Sequence, residues 1–163
     1  IAHKPKLVIL DEPTVAVDPQ SRNKILEGIR KLNQQGATII YTTHYMEEVE
    51  QICTRIVILD KGKQIAEGTA EQLKAMITLK EKIDIEQIAL DERQLQAIRE
   101  LANVFDVVYN QSHLQVKFTK GKQNLMNLLD YLKQEDVPFG KVYSQLPTLN
   151  DVFLEITGKG LRD

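Results

Sequence analysis

The 163-residue chain is 42% apolar and 27% charged, a balance that excludes a mostly disordered or fibrous polymer and fits one ordinary domain or two small ones. Its formal net charge of −2 leaves no excess of Lys and Arg for the basic face that phosphate contacts require, so nucleic acid is not an expected partner. No apolar run approaches the roughly 18 to 20 residues that cross a bilayer and no basic-then-apolar leader opens the sequence, so the chain reads as soluble and not secreted.

The first residue is Ile1 and not Met, a few positions before the first strand, which reads as a piece of something longer. Residues 7–10 form a continuous apolar run, expected for a strand covered on both faces in a parallel sheet. The run ends on two adjacent acids, Asp11 and Glu12. Asp18-Pro19 then reads as an N-cap followed by Pro in the first helical turn, with Ile25, Leu26, Ile29 and Leu32 at helical spacing until Gly36. Residues 37–44, "ATIIYTTH", are a second buried strand. A helix over residues 46–53 leads into "RIVILD", a third strand, and Cys53 reads as a small buried hydrophobe, since a lone cysteine makes no internal disulfide. Asp60-Lys61-Gly62-Lys63 makes a hairpin turn into "KQIAEG". Thr69 is a candidate cap for a helix that turns Leu73 and either Met76 or Ile77 inward. This strand–helix alternation argues for a layered α/β domain.

After about Leu79 the pattern changes. Ile83 and Ile85 alternate with polar residues, and Asp91 caps a helix carrying Leu95, Ile98 and Leu101. "VFDVVY" and "LQVKF" flank a polar turn at residues 110–112 as an antiparallel hairpin. Leu125, Leu128, Leu129 and Leu132 mark a further helix, and "FGKVYSQ" a fourth strand. That β-α-β-β-α-β order is ferredoxin-like. A closing helix over residues 148–156 begins with T-x-x-D, a relative of the capping box. The expected division is 1–79 and 80–163.

Two carboxylates at the C-terminal end of a parallel strand sit where α/β folds place ligands. One can hold a magnesium ion while the other addresses an attacking water. A bland alternative is that both are solvated loop charges or caps. His44, at the end of a buried strand, is by itself equally readable as a satisfied strand-end histidine, and His113 reads as an exposed loop residue.

The sequences "LVILDEPTVAVDP" and "TIIYTTH" together resemble the second half of an ATP-binding-cassette (ABC) ATPase as found in ABC transporters, and "IVILDKGKQIAEGTAEQL" resembles the next segment of transporter ATPases. The resemblance implies a Walker B strand at 7–11, a catalytic glutamate at Glu12, a D-loop at 14–18 and a switch histidine at His44. It further implies that Asp11 orients Mg2+ on the β- and γ-phosphates of ATP, that Glu12 positions the hydrolytic water, and that His44 donates to a γ-phosphate oxygen. Asp18, besides capping its helix, would cross to a partner subunit and join Asp11 and His44 among the residues that bind the nucleotide. Ala16 stands where the family usually has Gly, and a Cβ there disfavours a left-handed backbone. The fold class implied is α/β: a partial P-loop NTPase parallel sheet lacking the Walker A strand, followed by a ferredoxin-like α+β accessory domain. "PTLNDVFLEITGK" resembles the ending of exporter ATPases that carry such an appendage.

The implied function is an ATP-binding subunit coupling ATP hydrolysis to export through an integral membrane permease. It would work as a homodimer with a second ATPase subunit, peripheral at the cytoplasmic face of the membrane. No G-x-x-x-x-G-K-[ST], glutamine loop or LSGGQ-type signature occurs in the chain, so the isolated polypeptide is expected neither to bind ATP tightly nor to hydrolyse it. In the family's sheet a strand lies between those equivalent to 37–43 and 56–60. Either these two close that gap, or their edges stay open to another chain, and dimerisation or a rearranged N-terminal half is expected. Two other readings remain: a non-transport member of the superfamily acting on DNA or ribosomes, and a purely binding or regulatory module.

Overall fold

A computed structural model describes residues 5–158, which divide between Glu71 and Gln72 into two compact units. In the first unit, β1 (Leu7–Asp11) and β2 (Thr38–Thr42) pair in parallel, with Leu7 opposite Thr38 and Asp11 opposite Thr42. They are joined by α1 (Pro19–Gln34). The helix starts where the sequence places it. Asp18 is extended, its carboxylate accepts from the amides of Gln20 and Ser21 at 3.0 Å, and Pro19 opens the first turn, where its missing N–H costs no bond. Gly36, at φ 96°, takes the left-handed position after the helix end. The helix buries Leu26 and Ile29 and lies against β2 and α2 (Met46–Ile52).

Two expectations about these strands are corrected. The run at residues 7–10 is covered on one face, by burial of Val8, while Leu7 and Ile9 on the other are 51% and 65% exposed. Residues 37–44 likewise do not form a fully buried strand, for Ile40 is 48% exposed. The apolar side chains anticipate a second layer, and among the described residues none covers that face.

The strands β3 (Ile56–Asp60) and β4 (Lys63–Gly68) form an antiparallel hairpin. Lys61 (φ 48°) and Gly62 (φ 74°) both adopt the left-handed conformation, whose twist matches that of the flanking strands. Among the described residues β2 and β3 are not hydrogen-bonded neighbours, so the gap between them is not closed. A groove of about 610 Å³ lies there, lined among others by Ile40, Ile52, Val57 and Leu59. Cys53 borders the same groove and is half-buried, less enclosed than its apolar setting suggests, though burial still pushes its thiol pKa up.

The second unit opens within α3 (Ala70–Met76), ahead of the change in periodicity near Leu79. Leu73 and Ile77 are buried and Met76 is 65% exposed, so Ile77 is the inward residue. There follow β5 (Glu81–Glu86), α4 (Glu92–Arg99), β6 (Val104–Asn110), β7 (His113–Phe118), α5 (Asn124–Gln134), β8 (Val142–Gln145) and α6 (Leu149–Thr157). The sheet is antiparallel in the order β6-β7-β5-β8, which is the ferredoxin-like arrangement. Period-2 alternation decides its faces. Ile83 and Ile85 lie opposite Val116 and Leu114 and enter a core with Ile98, Phe118, Leu128 and Leu132. Their neighbours Lys82, Asp84, Gln115 and Lys117 point the other way, where Gln115 donates to Asp84 at 2.9 Å. His113 is half-exposed beside its turn, with Nε2 3.3 Å from Asp84. Both capping boxes are reciprocal, Asp91 with Gln94 and Thr148 with Asp151.

Candidate functional site

The parallel pairing of β1 and β2 brings Asp11 and Thr42 side by side at the strands' C-terminal ends, and the Thr42 hydroxyl donates to the Asp11 carboxylate. The next residue turns sharply. Glu12 has φ 45°, a left-handed backbone that an L-residue adopts at a cost of about 1 kcal/mol, and its amide still donates to Thr42 O at 3.0 Å. The reversal separates the two carboxylates, and Glu12 turns toward the segment after β2. There His44 Nδ1 lies 3.0 Å from Oε1 and 3.1 Å from Oε2 of Glu12. Strain of this kind persists where surrounding contacts over-determine it.

The loop from Glu12 to Asp18 closes through two turns, Val15 N to Glu12 O and Val17 N to Thr14 O, both at 3.2 Å. Ala16 sits at φ 60°. The loop therefore keeps the left-handed conformation that glycine would favour, despite the Cβ. Asp18 is directed into its own helix. Its carboxyl pKa is held below the usual value of 3.8, chiefly by the hydrogen bond to Ser21. Of the four residues singled out in the sequence, Glu12 and His44 are in contact, Asp11 adjoins them at the strand end, and Asp18 serves as a cap.

A buried polar cluster behind this site was not read from the sequence. Glu48 is 3% exposed and Thr14 fully buried. Glu48 Oε2 accepts from the hydroxyls of Tyr41 at 2.6 Å, Thr14 at 2.9 Å and Thr43 at 3.3 Å. Its Oε1 faces Arg22 Nε at 3.4 Å. Burial, aided by Glu48, pushes the Tyr41 hydroxyl up to about 12, so it remains a donor across the physiological range. The local sequence hides Glu48 among Glu47 and Glu50, three acids on a two-turn helix of which one points inward. No signal in the sequence marks the one that does, because its partners Thr14 and Tyr41 lie 34 and 7 residues away.

Among the described residues no group of three or more His, Cys, Asp and Glu side chains forms a metal cage, and no helix is long and apolar enough to cross a membrane. Asp11, with a hydroxyl beside it, suits a cation that takes one protein carboxylate and completes its shell from phosphate and water, as magnesium does.

The family model described as "ATP-binding protein DrrA1-3-like, C-terminal domain" matches residues 68–157. The linearmycin resistance ATP-binding protein LnrL of Bacillus subtilis (strain 168) is 41% identical, over 100% of this chain and 53% of its own length. The daunorubicin resistance ATP-binding protein DrrA3 of Streptomyces coeruleorubidus is 34% identical, over 98% of this chain and 50% of its own. The Nod factor export ATP-binding protein I of Ralstonia nicotianae (strain ATCC BAA-1114 / GMI1000) is 33% identical, over 100% of this chain and 50% of its own. The chain thus spans about half the length of these relatives. With all elements from β5 to α6 lying inside the matched segment, the chain belongs to the family of ATP-binding proteins with a DrrA1-3-like C-terminal domain.

Proposed function

We propose that this chain is part of the ATP-binding subunit of an ABC exporter, in which Asp11, Glu12 and His44 serve ATP hydrolysis. The observation that carries this reading is the 3.0 Å approach of His44 to Glu12 at the mouth of a parallel strand pair. Asp11 would hold Mg2+ together with phosphate oxygens of ATP, and the ion would supply charge neutralisation there. The Glu12 carboxylate would orient a water and take up its proton. With Nδ1 turned to Glu12, the imidazole presents Nε2 outward as the atom available to a phosphate oxygen.

Asp18 is proposed to combine its cap with a contact to a second ATPase subunit in a homodimer. The bare apolar face of β1 and β2 and the open groove beside β2 support a need for further polypeptide around this unit. The resistance and export named in the relatives favour an efflux permease as membrane partner, which would hold the subunit at the cytoplasmic face. By itself the chain carries no phosphate-cradling loop, and residues 1–163 alone should not turn over ATP.

The test is Mg2+-dependent ATP turnover by the protein joined to an upstream half of the kind its relatives carry. Glu12→Gln should lower turnover at least about 100-fold, within the range of a lost general base, while nucleotide binding persists. Unimpaired turnover in Glu12→Gln would refute the assignment.

A further inference from the structure

Glu48 is a buried acid with no part in the hydrolytic scheme, yet it meets three segments around it. Its Oε2 gathers hydroxyls from Thr14 in the loop after β1, Tyr41 within β2, and Thr43 just after β2. Thr43 in turn accepts from the Tyr45 amide at 3.0 Å, so the backbone on both sides of His44 is anchored to one carboxylate. On the other flank Glu48 Oε1 faces Arg22, whose guanidinium carbon lies 4.7 Å from the centroid of the Tyr45 ring. The Tyr45 ring is 4.2 Å from the His44 ring, tilted by 37°. The imidazole itself is 64% exposed and has few other walls. Its orientation therefore depends on the backbone turn and on the Tyr45 ring, and both lead back to Glu48.

If Glu48 served stability alone, a hydrophobic side chain of similar volume would suffice, since buried ion pairs are frequently replaceable in that way without loss. A carboxylate meeting hydroxyls from separate segments instead fixes their relative placement. We propose that Glu48 is a positioning residue for His44, locking the 43–45 turn to the loop after β1 and, through Arg22 and Tyr45, holding the imidazole against Glu12. The proposal rests on the reading of Glu12 and His44 as the hydrolytic pair.

Its test uses the protein joined to its upstream half, with labelled histidine, and compares Glu48→Gln and Thr43→Val with the unsubstituted protein. Both substitutions should shift the His44 ring resonances and lower kcat about 10-fold to 100-fold, as expected for a misplaced catalytic group, with KM for ATP changed less than about twofold. Thr43→Val removes the hydroxyl that joins the turn to Glu48 and leaves the Tyr45 ring against the imidazole, so it decides the matter even if Glu48→Gln does not fold. Unchanged His44 resonances in folded Thr43→Val, or a rise in KM with kcat intact, would overturn the proposal. A different result would count against the hydrolytic reading alone: His44→Ala turning over ATP like the unsubstituted protein while the ring resonances still shift in Thr43→Val.

Discussion

Nδ1 of His44 is shared between both carboxylate oxygens of Glu12, at 3.0 and 3.1 Å, across two neighbouring parallel strands. Each side chain thereby limits where the other can point. Replacing His44 by Ala in the protein joined to its upstream half should lower turnover about 100-fold, the order typical of one lost polar transition-state contact, and leave the melting temperature nearly unchanged because the ring is 64% exposed. Steady-state kinetics with parallel thermal melts check both parts.

Ala16 holds a left-handed backbone at φ 60°. Glycine at this position removes the Cβ penalty but gives the unfolded chain more freedom, so the two effects partly cancel. Ala16→Gly is expected to raise stability by about 0.5 kcal/mol, read as a higher urea midpoint at an unchanged m-value.

Asp151 links acidity to folding in the second unit. Burial alone would push its carboxyl up, but the Thr148 amide and hydroxyl and the Lys82 ammonium at 2.9 Å outweigh this and hold it below 3.8. The folded state thus binds fewer protons than the unfolded chain in the window between the depressed value and 3.8. The resulting stabilisation is complete above pH 3.8 and is lost as pH falls through the folded-state value. Asp151→Asn should lower stability near neutrality and flatten that acid limb, measured by urea titrations between pH 2 and 7.

Leu7, Ile9 and Ile40 share the uncovered face of the parallel strand pair, and Leu59 of β3 is 64% exposed. Such a face drives association. The double substitution Ile40→Lys and Leu59→Lys should shift residues 1–163 toward a lower mass in light scattering while changing stability by no more than about 0.5 kcal/mol, as is usual for exposed positions. A mass unaffected by the charges would mean that this face does not mediate association.

The ferredoxin-like unit was readable because its determinants are local. The alternation at Ile83 and Ile85, the Asp91 cap and the helical spacing of Leu128 and Leu132 each lie within one element, and the structure buries all four of those apolar residues. The Glu12–His44 contact was readable from a resemblance spread over two segments, which no single residue would have supplied. What escaped depends on distant parts of the chain. Leu7 and Ile9 have the composition of doubly covered strand residues, and burial depends on neighbours that their own sequence does not name. Glu48 escaped for the opposite reason, because an acid in an acid-rich helix gives no sign of facing inward until Tyr41 and Thr14 are placed beside it.

In the second unit Lys82, at the start of β5, lies directly opposite Gln145, the last residue of β8. The four-stranded sheet therefore begins and finishes at adjacent points. Beyond the sheet, Glu155 of α6 accepts from the Thr78 amide at 2.5 Å, so the stretch 78–157 also opens and closes in one place and can be exchanged for that of a relative or grafted into a surface loop of another protein without stretching its host.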